Sequence, residues 1–180
     1  MDADFREFYD LEKYLFEQVG QRFRTNGHLD AFDFFCIVIW KANRAKSRVA
    51  RRLLDFGGGS LEDAVRTLTE GLAGLREPKE RLRYLLEEWG FRLPMASAIL
   101  AVLYPDDFTV YDIRVCDSIG GFHSTGNRTE FSKLWDEYVQ FRKAVEEAAP
   151  QTLTLRDKDR YLWGKSFHDQ LQRDIAREFT

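Results

Sequence analysis

A glycine that breaks one helix, followed at once by a second and apolar helix, is the feature that most constrains this chain. Apolar side chains recur at helical spacing before the break and predict a helix over residues 81–89: Leu82, Leu85, Leu86 and Trp89. Gly90 is expected to end that helix, because glycine readily takes the left-handed conformation just past a helix C-terminus. Pro94 is predicted to be the first residue of the next helix, where no backbone N–H is needed. The sequence therefore predicts a helical hairpin at about residues 78–104.

The second helix of the hairpin, residues 95–103, consists of small and apolar side chains and is expected to be buried. Backbone N–H groups at the start of such a helix have no partner within it, so they attract phosphate oxygens. Contacts of this kind hold a nucleic-acid backbone without reading its sequence. The hairpin residues predicted to make them are Gly90, Phe91, Arg92, Leu93 and Met95.

Asp112 is the next candidate functional residue. It precedes Ile113, Val115 and Ile119, which have helical spacing, so it is predicted to cap a short helix that runs to about Ser118. Only a short turn, residues 104–107, comes after the buried helix. A chain that folds back through this turn would bring the Asp112 carboxylate near the mouth of the hairpin.

On these residues, the chain resembles the helix-hairpin-helix DNA glycosylases of base-excision repair. Gly90 matches the first glycine of that family's hairpin, and Ala96 matches the alanine of its buried helix. Asp112 falls where the family has its catalytic aspartate, and Arg114 with Val115 resembles the residues just after that aspartate. The resemblance covers about a quarter of the chain. It implies a two-lobed helical fold, DNA as partner, and a catalytic role for Asp112.

The chain also departs from the family's pattern. Arg92 replaces the second hairpin glycine, and Pro94 stands where bifunctional members carry a nucleophilic lysine. Schiff-base chemistry at that position is therefore excluded. The histidine that is common just after the family's aspartate is absent. The sequence has only 2 cysteines, Cys36 and Cys116, so it cannot hold the iron–sulfur cluster of some members, which needs four. We expect no metal and no cofactor.

Composition limits the choice of partners. The net charge is −3, which is unlike the basic charge of most general nucleic-acid binders, so any nucleic-acid surface must be a local patch. The most basic stretch is residues 41–52, with six basic residues and no acid. It is interpreted either as a patch that contacts phosphates or as a solvated helix face that pairs with acids elsewhere. The predicted DNA contacts outside the hairpin are Lys41, Arg44, Lys46, Arg48 and Arg114.

The remaining patterns predict an all-α fold of about eight or nine helices in one compact domain covering residues 1–180. Residues 31–42 are apolar nearly all round, and a buried helix is favoured over a strand because no partner strand is predicted. Ser60 is expected to cap a helix. A long helix is predicted from Thr129 to about Ala149, and a last helix from near Asp157 that Gly164 interrupts. Trp163 is expected to belong to the core rather than to a base-stacking surface.

Isolated cysteines and the absence of a recognisable leader or long apolar run favour a cytoplasmic protein without membrane contact. The leading hypothesis is a monofunctional DNA glycosylase, in which Asp112 supports hydrolysis of an N-glycosidic bond in a damaged or modified nucleotide. Two alternatives remain open. One is a DNA-binding helix-hairpin-helix module without chemistry, and the other is a helical interaction protein. His123, in the loop after Asp112, is expected to face solvent rather than to act in catalysis.

Overall fold

The computed structural model describes residues 5–179, and every regular element in this range is helical. Of its ten α-helices, eight have seven or more residues, and no strand occurs between residues 5 and 179. The prediction of an all-α fold with about eight or nine helices is confirmed. None of the helices in this range has both the length and the apolar character that a membrane span requires.

The chain divides into two compact units. The first unit ends at Tyr104 and the second begins at Pro105, so the hairpin belongs to the first unit and Asp112 to the second. The helices of the first unit are α1 Leu11–Tyr14, α2 Gly20–Asn26, α3 Ala31–Ala42, α4 Lys46–Gly57, α5 Leu61–Gly74, α6 Pro78–Arg83 and α7 Leu93–Leu103. The π-helical turn Leu15–Val19 joins α1 to α2, and the 3₁₀ turn Asn43–Ala45 leads into α4.

Helix α7 forms the centre of the first unit. Every residue of α7 except Pro94 is buried, which confirms the burial expected from its small and apolar side chains. It contacts α2, α3 and α6. The helix predicted over residues 31–42 is also confirmed as α3, although Phe32 and Ile39 lie on an exposed side of it. Ser60 caps α5 through a reciprocal capping box with Asp63.

The first helix of the hairpin begins at Pro78, as the predicted hairpin bounds of about 78–104 require. It differs from a regular helix over residues 81–89, because its second half is the π-helical turn Tyr84–Glu88. Pro78 suits this start because proline fits the first turn of a helix. The second helix begins at Leu93, with Arg92 as its N-cap, so Pro94 is its second residue and not its first. The pattern of glycine, short turn and buried helix is nevertheless as expected.

The second unit contains three α-helices and an entry segment without regular secondary structure. Residues 108–112 lead into α8, and the helices are α8 Ile113–Ile119, α9 Phe131–Ala148 and α10 Leu155–Ala176. Helix α8 packs against α9 and α10. The predicted interruption of the last helix at Gly164 is wrong, because α10 continues through it to Ala176. A single glycine costs only about 1 kcal/mol within a helix, which the contacts of α10 with α8 offset.

Candidate functional site

The hairpin turn is held by hydrogen bonds from its own backbone. Gly90 has a φ of 63°, in the left-handed region that glycine adopts without strain. The N–H of Trp89 donates to the Tyr84 carbonyl at 3.2 Å, and the N–H of Phe91 donates to the Leu85 carbonyl at 2.9 Å. These bonds close the end of the first hairpin helix and fix the direction in which the chain enters α7.

Arg52, in α4, ties the basic stretch to the hairpin. Its guanidinium donates to the Gly90 carbonyl and lies 5.8 Å from the centre of the Phe91 ring. The Phe56 ring, one turn further along α4, packs beside Trp89 with ring centres 6.5 Å apart. Helix α4 is therefore the direct neighbour of the hairpin turn. Arg52 is a structural residue that was not singled out from the sequence, although it lies in the basic stretch.

The backbone N–H groups at the start of α7 are largely occupied within the helix itself. Pro94 has no N–H, and the N–H groups of Met95 and Ala96 both donate to the Arg92 carbonyl at 3.0 Å. The side chains of Phe91, Leu93 and Met95 are buried in the first unit. Arg92 is the member of this predicted set whose side chain is exposed. Any phosphate contact of the hairpin must therefore rely chiefly on the Arg92 guanidinium, since the helix terminus offers few N–H groups.

Three arginines succeed each other at four-residue intervals through α4 and its 3₁₀ entry: Arg44, Arg48 and Arg52. Arg48 and Arg52 lie one turn apart on the same side of α4, and Arg44 precedes them in the 3₁₀ turn. We call Arg44, Arg48 and Arg52 the basic row. Because Arg52 contacts Gly90, the row leads directly to the hairpin turn that carries Arg92.

The exposed arginines of this surface have no acidic partner in the described part of the chain. Within residues 5–179, no ion pair involves Arg44, Arg48 or Arg92. The interpretation of the basic stretch as a solvated face paired with acids elsewhere therefore does not fit its two members Arg44 and Arg48. Exposed arginines on other helices do pair with acids; Arg66 bonds Glu70 at 2.8 Å and Arg83 bonds Glu80 at 2.9 Å.

The two predicted lysine contacts are not members of the basic row. Lys46 is exposed but is two residues from Arg48, and positions two apart do not share a helix face. Lys41 is half-buried in the last turn of α3. The predicted set of basic contacts is therefore not brought together as a whole. It reduces to Arg44 and Arg48, with Arg92 from the hairpin.

Asp112 is the N-cap of α8, as predicted. Its backbone is extended, with φ −136° and ψ 142°, and its carboxylate oxygen Oδ1 accepts from the Arg114 N–H at 3.0 Å. The residue is half-buried. Its neighbour Ile113 is 58% exposed, so the start of α8 reaches the protein surface. The proximity of this carboxylate to the hairpin mouth stays a prediction.

The segment that carries Asp112 is clamped by two buried side chains. The Tyr138 hydroxyl accepts from the Thr109 N–H at 3.1 Å and donates to the Thr109 carbonyl at 2.7 Å. The Asp159 carboxylate accepts from the Val110 N–H at 3.2 Å, and Arg156 in turn bonds that carboxylate at 2.7 Å. An irregular buried segment needs such partners for its backbone, since water is excluded from it. These clamps therefore fix the segment that leads into Asp112.

Arg114 takes part in a contact that the sequence did not predict. Its guanidinium carbon lies 5.2 Å from the centre of the Trp163 ring and 5.7 Å from the centre of the Phe167 ring. Its Nη1 also donates to the Gln170 side chain at 3.0 Å. Trp163 itself is 42% exposed, so the expectation that it belongs to the core is wrong. Arg114 is thus attached to the surface of α10.

The other ionisable groups of the second unit are less suited to catalysis. His123 Nε2 lies 2.8 Å from an oxygen of Asp117, and both side chains are about half exposed. Burial raises the pKa of the Cys116 thiol to about 11, although the Tyr111 hydroxyl acts in the opposite direction. In the first unit, burial, with Asp33 as a further cause, likewise raises the pKa of Cys36 to about 11. Neither thiol is an activated nucleophile, because each keeps its proton at neutral pH.

Comparison with protein-family models, with curated protein sequences and with solved structures identifies no match to this chain.

Proposed function

We propose that the first unit binds the DNA backbone through a hairpin surface made of Arg44, Arg48 and Arg92. The observation that carries this proposal is that Arg92 lies in a hairpin turn fastened to α4, the helix that carries Arg48 and follows Arg44, and that none of these three exposed arginines has an ion pair within residues 5–179. On a chain with a net charge of −3, such a local concentration of positive charge favours a polyanionic partner. Arginine suits phosphate oxygens because its planar guanidinium donates two parallel hydrogen bonds.

The hairpin's part in this surface is to hold Arg92 in place. Gly90 and the bonds around it fix the turn, and Arg52 fastens the turn to α4. Arg92 and the basic row then share one backbone support, so little loop entropy is lost when a phosphate binds, although each exposed arginine side chain still loses rotamer entropy. Contacts of this type position a protein on the backbone and leave base sequence unread.

Fluorescence anisotropy with a labelled DNA duplex tests this proposal. Arg48→Gln and Arg92→Gln should each weaken binding by about five- to thirtyfold, in line with about 1–2 kcal/mol for a charge-assisted contact. The matched control is Arg66→Gln, which removes an exposed arginine that pairs with Glu70 on α5. Equal losses in all three variants would contradict a surface at the hairpin and leave only non-specific attraction.

We propose base excision by the second unit as a further function, since a specific feature of Asp112 favours it. Its carboxylate comes directly after a segment that Tyr138 and Asp159 clamp, and its own Oδ1 is fixed by the Arg114 N–H. A carboxylate held in this way is preorganised, so it can stabilise positive charge without moving during the reaction.

The proposed reaction is hydrolysis of the N-glycosidic bond of a nucleotide that has left the base stack. As that bond breaks, its electron pair leaves with the base and positive charge grows on the sugar. The ionised Asp112 stabilises this charge and orients water, which attacks the anomeric carbon. The departing base takes up a proton, and a free base and an abasic sugar result. Pro94 offers no amine, so no covalent intermediate or strand cleavage is expected at that position.

Two substitutions separate catalysis by Asp112 from its role as a helix cap. Asp112→Asn keeps an oxygen that accepts from the Arg114 N–H but removes the negative charge, whereas Asp112→Ala removes both. Each variant is incubated with oligonucleotides that carry single damaged bases, and hot alkali then reveals abasic sites. Alkali-dependent cuts that the wild type makes and Asp112→Asn does not would support base excision. Equal cutting by wild type and Asp112→Asn would refute it.

If no substrate is cut while DNA binding depends on Arg48 and Arg92, the chain is a DNA-binding module without this chemistry. Arg92 and Pro94, which depart from the glycosylase hairpin pattern, are the sequence features that favour this alternative. If neither activity is found, the interaction-protein alternative is the one that remains.

A further inference from the structure

Helix α10 carries an apolar stripe that is substantially exposed to solvent, although the Arg114 guanidinium lies over its two aromatic rings. Large apolar side chains recur every four residues along it, and their exposed fractions are substantial: Trp163 42%, Phe167 47%, Leu171 38% and Ile175 54%. The Trp163 and Phe167 rings stack with their planes 8° apart and their centres 5.9 Å apart. We call these four residues the α10 stripe.

The second half of α10 gains little from packing within its own unit. The buried residues of this 22-residue helix all lie between Lys158 and Ser166, and the helix has none beyond Ser166. Isolated helical segments of such length are marginally stable in water, because most helical stability comes from a packed apolar face. A contiguous exposed apolar patch on a helix of this kind marks a surface that another molecule covers.

Two oppositely charged residues, Arg160 and Asp174, lie near the two ends of the stripe, so the stripe is complementary in charge to a second copy of itself. Arg160 lies seven residues before Phe167, and Asp174 lies seven residues after it, so both share the face of Phe167. Trp163 and Leu171 likewise lie four residues before and after Phe167. When two such helices meet antiparallel with Phe167 at the centre, Arg160 of each lies opposite Asp174 of the other, and Trp163 lies opposite Leu171.

We propose that the α10 stripe is the interface of a homodimer, in which two copies of α10 pack antiparallel about a two-fold axis at Phe167. Antiparallel packing gives the isologous contact that most homodimers use. A parallel arrangement would instead set Arg160 against Arg160 and Asp174 against Asp174. In the single chain, Arg160 bonds Asp157 at 3.1 Å, and both side chains are largely exposed. An exposed ion pair of this kind contributes little to the free energy of folding, so Arg160 can bond Asp174 of a second copy in place of its own Asp157.

Arg114 orders the two aromatic side chains of this surface in the single chain. Its guanidinium lies over both stacked rings, and its bond to Gln170 fixes it there. The two aromatic side chains are therefore already ordered in the single chain, and less side-chain entropy is lost when a second copy packs on them.

Sedimentation equilibrium of the full chain tests whether the dimer exists. The chain has a mass of 21.2 kDa, and we expect the wild type to shift towards twice that mass as its concentration rises. Phe167→Glu should weaken the association at least about tenfold, because it buries two like charges at the axis. The matched control is Val139→Glu, which places the same charge on an exposed apolar position of α9. A wild type that stays monomeric at all concentrations would overturn the proposal.

Two further variants test the antiparallel register. Phe167→Cys should form a disulfide-linked dimer on a non-reducing gel, whereas Gln172→Cys, on another side of α10, should not. Reversal of either Arg160 or Asp174 should weaken association, and reversal of both in one chain, Arg160→Asp with Asp174→Arg, should restore it. Failure of the double reversal to restore association would overturn the register. If the chain is monomeric and Phe167→Glu instead weakens duplex binding, the stripe contacts nucleic acid and the homodimer is refuted.

Discussion

Removal of one hydroxyl, in Tyr138→Phe, is expected to destabilise the second unit because that hydroxyl serves both backbone groups of Thr109. The ring is buried, with 1% of its surface exposed, and burial raises the pKa of the phenol, so the group stays neutral. Phenylalanine retains the ring contacts, including the stacked Phe108 ring at 6.2 Å, but makes neither hydrogen bond. The change is thus confined to the clamp on the segment before Asp112.

The expected loss of stability depends on the N–H and C=O of Thr109, which lose their hydrogen bonds to the Tyr138 hydroxyl. A buried neutral donor or acceptor that loses its partner costs about 1–3 kcal/mol, so the N–H and C=O of Thr109 together cost about 2–4 kcal/mol after relaxation. Urea unfolding, monitored by circular dichroism, measures this difference in the free energy of unfolding. The control is Tyr161→Phe, at an exposed position of α10, which should change the free energy of unfolding by less than about 0.5 kcal/mol.

Equal effects of Tyr138→Phe and Tyr161→Phe would refute the clamp. A loss of stability without any change in base excision, if the wild type shows that activity, would mean that the clamp stabilises the unit but does not position Asp112.

Three further predictions concern packing, an unsatisfied hydroxyl and pH. Gly57→Ala should lower the free energy of unfolding by about 1–3 kcal/mol in urea titrations, because the added methyl would lie 2.6 Å from the Ala64 side chain and 2.8 Å from its Cα. Thr109→Val should be neutral or stabilising by up to about 1 kcal/mol, since the buried Thr109 Oγ1 makes no hydrogen bond within residues 5–179. A destabilisation above this range would reveal a partner for that oxygen. The raised pKa values of Cys36 and Cys116 mean that the folded chain holds these protons more tightly than the unfolded chain, whose thiols titrate near 9. Stability should therefore fall as pH rises from about 9 towards 11, by at most about 1.4 kcal/mol per pH unit and thiol. Cys116→Ala should show a smaller loss of stability between about pH 9 and pH 11, and a loss equal to that of the wild type would contradict a raised pKa at Cys116.

Local patterns predicted the helices and their caps well. The spacing of apolar residues around Gly90, and the caps at Ser60 and Asp112, depend on neighbours within a few residues, so the sequence contains the necessary information. The boundaries were less predictable where the backbone leaves regular α-helical geometry. The π-helical turn Tyr84–Glu88 is an example, because it shifts hydrogen bonds without changing which side chains are apolar.

The contacts that build the candidate site are long-range and could not be predicted from a local pattern. Tyr138 bonds a residue 29 positions away, and Asp159 bonds one 49 positions away. Within the sequence Tyr138 looks like any other member of an apolar stripe. Trp163 shows the same difficulty, because large apolar residues at helical spacing are equally typical of a core and of an exposed interface.

The salt dependence of duplex binding tests the DNA-binding account most directly. For B-DNA, log Kobs falls with log salt by about 0.9 for each phosphate that a cation neutralises. If Arg44, Arg48 and Arg92 each contact one phosphate, the triple glutamine variant should show a slope smaller by about 2–3 than the wild type, while Arg66→Gln should leave the slope unchanged. An identical slope for the wild type and the triple variant, or no binding by the wild type at low salt, would contradict a DNA-binding surface at the hairpin.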